Sequence, residues 1–128
     1  MSVFSKIIAG EIPSYKIAEN EKFFAFLDIF PVAKGHVLVV PKQEIDKVFD
    51  LPDDLLSELL LFARPIAKAI EAVIPCKRVG LSVVGLEVPH AHLHLIPLNN
   101  ISDMGFTNKL KLSEKELKEI QELIVGGL

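Results

Sequence analysis

The chain has 128 residues, half of them hydrophobic and 24% charged, a balance that suits one folded domain and excludes a disordered chain. Its formal net charge of −3 leaves no basic stripe, which argues against nucleic acid as a partner. A single cysteine, Cys76, excludes an intrachain disulfide, and no apolar run approaches the roughly eighteen residues of a membrane span, so a cytoplasmic protein with no membrane partner is expected.

The start, MSVFSKIIAGEIPSYK, is broken by Lys6 and Glu11 before any signal-like apolar core forms. It reads as one or two helical turns from about Ser5 to Ala9, stopped by Gly10 and Pro13. Two short strands follow, Tyr15 to Ala18 and Phe23 to Asp28, joined by a hairpin loop. Pro31 and Gly35 mark a turn, with Gly35 assigned to the turn alone, and HVLVVP is a third strand.

The longest helix is expected from Asp53 to Ile74. Pro52 suits a first turn, and Asp53 and Asp54 meet the positive end of the helix dipole. Leu55, Leu56, Leu59, Leu60, Ala63, Ile66, Ala67, Ile70 and Ile74 form the candidate buried stripe, and Pro65 predicts a kink or a break. RVGLSVVG is a fourth strand and HAHLHLIP a fifth, NNISDMGFTNKL is a loop, and Ser113 with Glu116 fits a capping box for a last helix to about Val125. The fold class is therefore α+β, with about five mainly antiparallel strands, one long helix and a C-terminal helix. Residues 1–128 read as a single domain, with 99–128 a C-terminal loop and helix extension.

Three of the four histidines, His90, His92 and His94, alternate within five residues. On an extended chain they share one face, about 6.6 Å apart, while Ala91, Leu93 and Leu95 face the core. Such a row fits a merely polar strand face poorly. It leaves two chemistries open: a metal site, completed by His36, a carboxylate or water, or nucleophilic attack by an imidazole on phosphorus.

The stretches VFSKIIAGEIP, AFLDIFPVAKGHVLVVPK and EVPHAHLHLIP, in this order, resemble the histidine triad (HIT) family, in particular its nucleotide-binding Hint branch. The family signature, His-φ-His-φ-His-φ-φ with φ hydrophobic, is met by residues 90–96, and the likeness covers about residues 3 to 98. The resemblance implies a HIT-like fold and an enzyme, a nucleotide phosphoramidase or nucleotidyl hydrolase acting at the α-phosphorus of a purine nucleotide derivative. His92 would be the nucleophile, His94 and His36 would surround the phosphate, and His90 would orient the nucleophile. Asp28 would accept from ribose hydroxyls, Phe4, Ile7, Phe26 and Ile29 would wall the base, and Glu87 would border the nucleotide. An adenosine monophosphate conjugate as substrate, a homodimer and no cofactor are carried over in the same way.

Two departures from the family pattern stand out. Many relatives hold a structural zinc with a Cys-x-x-Cys pair and a histidine, where this chain has Ser2, Ser5 and Glu44; no structural metal is expected. The loop before the triad, SVVGLEVPH, is short, and Leu86 stands where relatives carry a phosphate-donating Gln. Losing one donor to a charged acceptor costs about 1.5 to 3 kcal/mol. Backbone amides of 85–88 are the candidate replacements. Alternatives to the phosphoramidase are a catalytically slow nucleotide sensor or scaffold, a dinucleoside polyphosphate hydrolase, and a metal-dependent hydrolase.

Overall fold

The computed structural model describes residues 1–128. Its elements in chain order are α1 (Val3–Ile8), β1 (Lys16–Glu19), β2 (Phe23–Leu27), β3 (Val37–Pro41), α2 (Asp53–Val73), β4 (Arg78–Ser82), β5 (Leu93–Leu98) and α3 (Glu114–Gly126). Short 3-10 turns lie at Val48–Asp50 and Ile101–Met104, the second inside the stretch read as plain loop. The five strands form one sheet in the order β1-β2-β3-β5-β4, antiparallel throughout. This is the α+β architecture expected. No helix is long and apolar enough to cross a membrane.

Several boundaries differ from the sequence reading, each for a local reason. Helix α1 starts at Val3 rather than Ser5 because Ser2 caps it, its Oγ accepting from the Ser5 amide at 3.0 Å. Helix α2 runs through Pro65 without a break. Pro65 and Leu61, whose carbonyl loses its partner, both lie on the exposed side, where water can serve that carbonyl. The stripe is also narrower than expected: Leu56 and Leu60 are exposed, while Leu55, Leu59, Ala63, Ile66, Ala69 and Ile70 are buried. The capping box of α3 is present, with Ser113 Oγ accepting from the Glu116 amide at 3.1 Å.

Strand β4 ends at Ser82, short of the expected Gly85, and Gly85 then turns the chain at φ +71°. Strand β5 begins at Leu93, three residues later than expected. The amides of His90 and Ala91 donate to Val88 and Ile45 carbonyls in loops rather than to a neighbouring strand. The side-chain alternation nevertheless persists through the irregular part, and Ala91, Leu93 and Leu95 all enter the main core. Gly35 has a second duty beyond its turn, because a Cβ there would lie 3.0 Å from Ile74 and 3.2 Å from Pro97.

Strands β2 and β3 are buried along their whole length, so both faces of the sheet are covered. Phe23, Ala25, Leu27, Val37 and Val39 face α2 and α3 in the larger core, which also takes Leu117, Ile120 and Ile124 of the C-terminal helix. Phe24, Phe26, Leu38 and Val40 face the other way and pack with Phe4 of α1, beside Ile7, Ile8 and Val88. A six-residue helix cannot cover a five-stranded face. In the cross-strand register Phe26 opposes Leu38, Leu38 opposes His94, and His94 opposes Ser82. The site lies along this row, at the edge of the patch that α1 covers.

Candidate active site

A cavity of about 520 Å³ opens on the α1 face of the sheet. Phe4, Ile7, Phe26 and Ile29 wall one part of it, Asp28 stands beside them, and His36, His92 and His94 line its floor. The Gly85–Val88 segment and, from the chain after β5, Phe106 and Lys109 complete it. The sequence-selected residues thus converge on one space, with one exception. His90 is fully buried and its ring does not line the cavity.

Hydrogen-bond partners fix which ring nitrogen carries each proton, since a carbonyl only accepts and an amide only donates. His92 Nδ1 lies 2.7 Å from the His90 carbonyl oxygen, so Nδ1 holds the proton and Nε2 keeps a free lone pair. His36 Nδ1 accepts from the Val32 amide at 3.2 Å, so its proton is on Nε2, which donates to His94 Nδ1 at 2.9 Å. His94 therefore carries its own proton on Nε2. The outcome is an acceptor on His92 beside a donor on His94, with ring centroids 4.8 Å apart. A free imidazole lone pair next to a hydrogen-bond donor is an arrangement that can support attack on a phosphoryl group.

Burial keeps these rings neutral. Desolvation is the largest cause for each: His36 is lowered from 6.5 to about 4, His94 from 6.5 to about 3, and His92 in the same direction. Mutual repulsion between neighbouring imidazoles adds to it for His94. For His92 the hydrogen bond to the His90 carbonyl opposes the shift.

Asp28 has two tasks. Its Oδ1 accepts from the Phe30 amide at 2.9 Å and shapes the turn, while Oδ2 lies 3.7 Å from His36 Nε2. Asp28, His36 and His94 each offer one ligand atom, all within 4.8 Å of one another, close enough to share a cation, though His36 Nε2 and His94 Nδ1 are already joined by a hydrogen bond. Leu86 lies at the cavity rim, 88% exposed. No backbone N–H from Gly85 to Val88 has a partner within the protein, so those amides remain available as donors. Glu87 is mostly exposed and pairs with Lys109 at 3.5 Å.

Phe106 and Lys109 were not selected from the sequence. Nothing in NNISDMGFTNKL separates a residue folded over the site from ordinary loop, and only the antiparallel return of β5 brings them there. Phe106 occupies the left-handed region at φ 59°, an uncommon conformation for a bulky residue, with its ring centroid 4.7 Å from His94 and 6.1 Å from His36.

Ser2, Ser5 and Glu44 gather round His90. Its Nε2 donates to the Pro41 carbonyl at 2.7 Å, so Nδ1 accepts, and Ser2 Oγ lies 2.7 Å from it. Ser5 Oγ donates to Glu44 Oε1 at 2.7 Å, and the Ser2 amide donates to the same oxygen. These bonds hold the Glu44 carboxyl down at about 2, chiefly through the Ser2 amide. Two hydroxyls already engaged by an imidazole and a carboxylate do not make a zinc site, which takes thiolates or free imidazoles. The donor set does not fit a structural metal.

A HIT domain family model matches residues 9–101 of the chain. An adenosine 5'-monophosphoramidase of Saccharomyces cerevisiae is 41% identical over 96 residues, which cover 74% of this chain and 61% of the yeast protein. An uncharacterized HIT-like protein of Methanocaldococcus jannaschii is 41% identical over 135 residues, covering 94% of this chain and 99% of that protein. Among solved structures, a Hit-like protein from Bartonella henselae superposes with a TM-score of 0.87 at 29% identity, covering 99% of this chain and 96% of the other. With two of the triad's rings, His92 and His94, on the cavity's floor, a matching fold and a family model spanning most of the sequence, this chain belongs to the HIT family.

Proposed function

We propose that the protein is a nucleotide phosphoramidase or nucleotidyl hydrolase that attacks the α-phosphorus of a purine nucleotide conjugate through His92. The observation that carries the reading is the His92 Nδ1–His90 carbonyl bond of 2.7 Å, which leaves Nε2 unprotonated beside the His94 donor. The phosphoramidase name of the yeast relative supports the same chemistry. In the first step His92 Nε2 bonds to phosphorus and the phosphorus–nitrogen bond to the leaving amine breaks, the amine taking a proton from solvent. His94 Nε2–H donates to a phosphoryl oxygen as charge grows there. The His90 carbonyl holds the Nδ1 proton while His92 carries the nucleotidyl group. Water then attacks phosphorus and gives up a proton to solvent, the phosphorus–nitrogen bond to His92 breaks with its electron pair returning to Nε2, and the nucleoside monophosphate leaves.

In this reading Phe4, Ile7, Phe26 and Ile29 hold the base, Asp28 Oδ2 accepts from the ribose, and the free amides from Gly85 to Val88 take the donor role that Leu86 has lost. Residues 1–128 act as one HIT domain with 99–128 as its extension. Two copies would pair through β4, an outer strand of the sheet whose Leu81, with the adjoining Val83 and Val84, is exposed; light scattering should then give twice 14.2 kDa. A catalytically slow nucleotide sensor is the second reading, favoured by Leu86 at the rim. Hydrolysis of adenosine 5'-phosphoramidate tests the choice. Turnover that survives chelation and is lost in His92→Ala supports the hydrolase, whereas tight adenosine monophosphate binding without turnover supports the sensor.

A further inference from the structure

The chain after β5 is tied down on both sides of the cavity. At its near end the Lys77 amide donates to Asn99 Oδ1 at 3.1 Å, and the Asn99 and Asn100 amides donate to Asp103 Oδ2 at 2.8 and 2.9 Å. At its far end the Leu110 amide donates to the Pro31 carbonyl at 2.6 Å. Between these anchors Phe106 and Lys109 face the cavity. A line of edge-on rings crosses the floor, Phe4 to His92 at 5.0 Å, His92 to His94 at 4.8 Å and His94 to Phe106 at 4.7 Å. The base walls lie at the Phe4 end. A substrate whose phosphorus sits over His92 and His94 directs its nucleoside to that end and its leaving group toward Phe106 and Lys109.

The charges on this lining are few. Asp28 and Glu87 are its carboxylates, the imidazoles are neutral, and Lys109 is its one lysine or arginine. Its ammonium rests against Glu87, whose side chain is 80% exposed. A solvated pair of this kind contributes little and is readily exchanged for another anion. The field of Lys109 reaches the floor of the cavity, where it helps to lower both His36 and His94.

Resting on the hydrolase reading, we infer that Phe106 and Lys109 form the leaving-group subsite and that Lys109 selects conjugates whose leaving group bears a negative charge. In the bound state a carboxylate or phosphate of the leaving group replaces Glu87 on the Lys109 ammonium, and Phe106 packs against the apolar part of the same group. Substrates of this class are nucleoside phosphoramidates of amino acids, or nucleotides extended by further phosphate.

The experiment compares adenosine 5'-phosphoramidates of an amino acid and of its decarboxylated amine, hydrolysed by the wild type, Lys109→Gln and Glu87→Gln. The wild type is expected to have the higher kcat/KM for the carboxylate-bearing conjugate. Lys109→Gln should lower the ratio of the two values about fivefold, the scale of one solvated ion pair. Glu87→Gln should raise it, since an internal competitor and a like charge are both removed. The preference should shrink in high salt, as expected for a partly exposed cation. A ratio that Lys109→Gln leaves unchanged, including an equal slowing of both substrates, would overturn the assignment while leaving the hydrolase intact. Failure of the wild type to hydrolyse either conjugate would overturn the hydrolase reading and this subsite with it.

Discussion

His90 and His92 stand two residues apart in the same motif, and both are buried, yet their surroundings give them opposite duties. The His90 ring is saturated: Nε2 donates to Pro41, and Nδ1 faces the Ser2 hydroxyl. The His92 ring is half used, with Nδ1 on a carbonyl and Nε2 free. In the proposed mechanism, what separates a structural from a reactive imidazole is therefore the count of satisfied nitrogens, not burial or spacing. His90 serves His92 through its backbone carbonyl, and its ring ties that backbone to β3 and to the N-terminal cap.

The contrast predicts that damage on the His92 side appears in rate and damage on the His90 side in stability. The largest effect is expected for His92→Ala, which should lower phosphoramidate turnover by at least about a thousandfold, as removal of a nucleophile does elsewhere, with the circular dichroism spectrum unchanged. His94→Phe keeps a ring in place but removes the Nε2 donor, and a loss in kcat of about a hundredfold is expected, read by steady-state kinetics. A loss confined to KM would place His94 outside the transition state.

Acid provides a second handle. His36 has a folded value of about 4 against an ordinary 6.5, so the unfolded chain binds more protons between these limits and stability rises with pH across them. The free energy of unfolding should thus be level above about pH 6.5 and fall as the pH drops toward 4, by about 3 kcal/mol for this group alone. His36→Phe should flatten that slope in urea titrations at several pH values. The smallest effect belongs to the His90 side. Ser2→Ala strips the hydroxyl facing a buried ring and the cap of α1, and should cost about 1 to 3 kcal/mol of stability. Its kcat should change far less than in His94→Phe, and a rate loss of equal size would erase the distinction between the two regions.

Much of this was legible in the sequence. Alternation from His90 to Leu95 told which side chains face the core, and it held even where the strand itself does not begin until Leu93. The long helix was legible from its stripe, but its passage through Pro65 was not, because that depends on which face of α2 meets water. Residues from distant segments, Phe4, Phe26, Asp28 and His36, were placed by family resemblance rather than by any local pattern. Phe106 and Lys109 were not legible as site residues, since a loop's path over a sheet is set by its two anchors. The proton positions likewise depend on partners such as Val32 and the His90 carbonyl, which a residue string does not reveal.

The central claim is that His92 Nε2 becomes covalently nucleotidylated. Brief incubation with an adenosine phosphoramidate, quenching in denaturant at alkaline pH and peptide mapping by mass spectrometry test it directly. The account predicts an adenylyl group on the peptide containing residues 90–96, localised to His92 and absent from His92→Ala. An adduct on His90, His94 or His36, or steady turnover in His92→Ala, would contradict it.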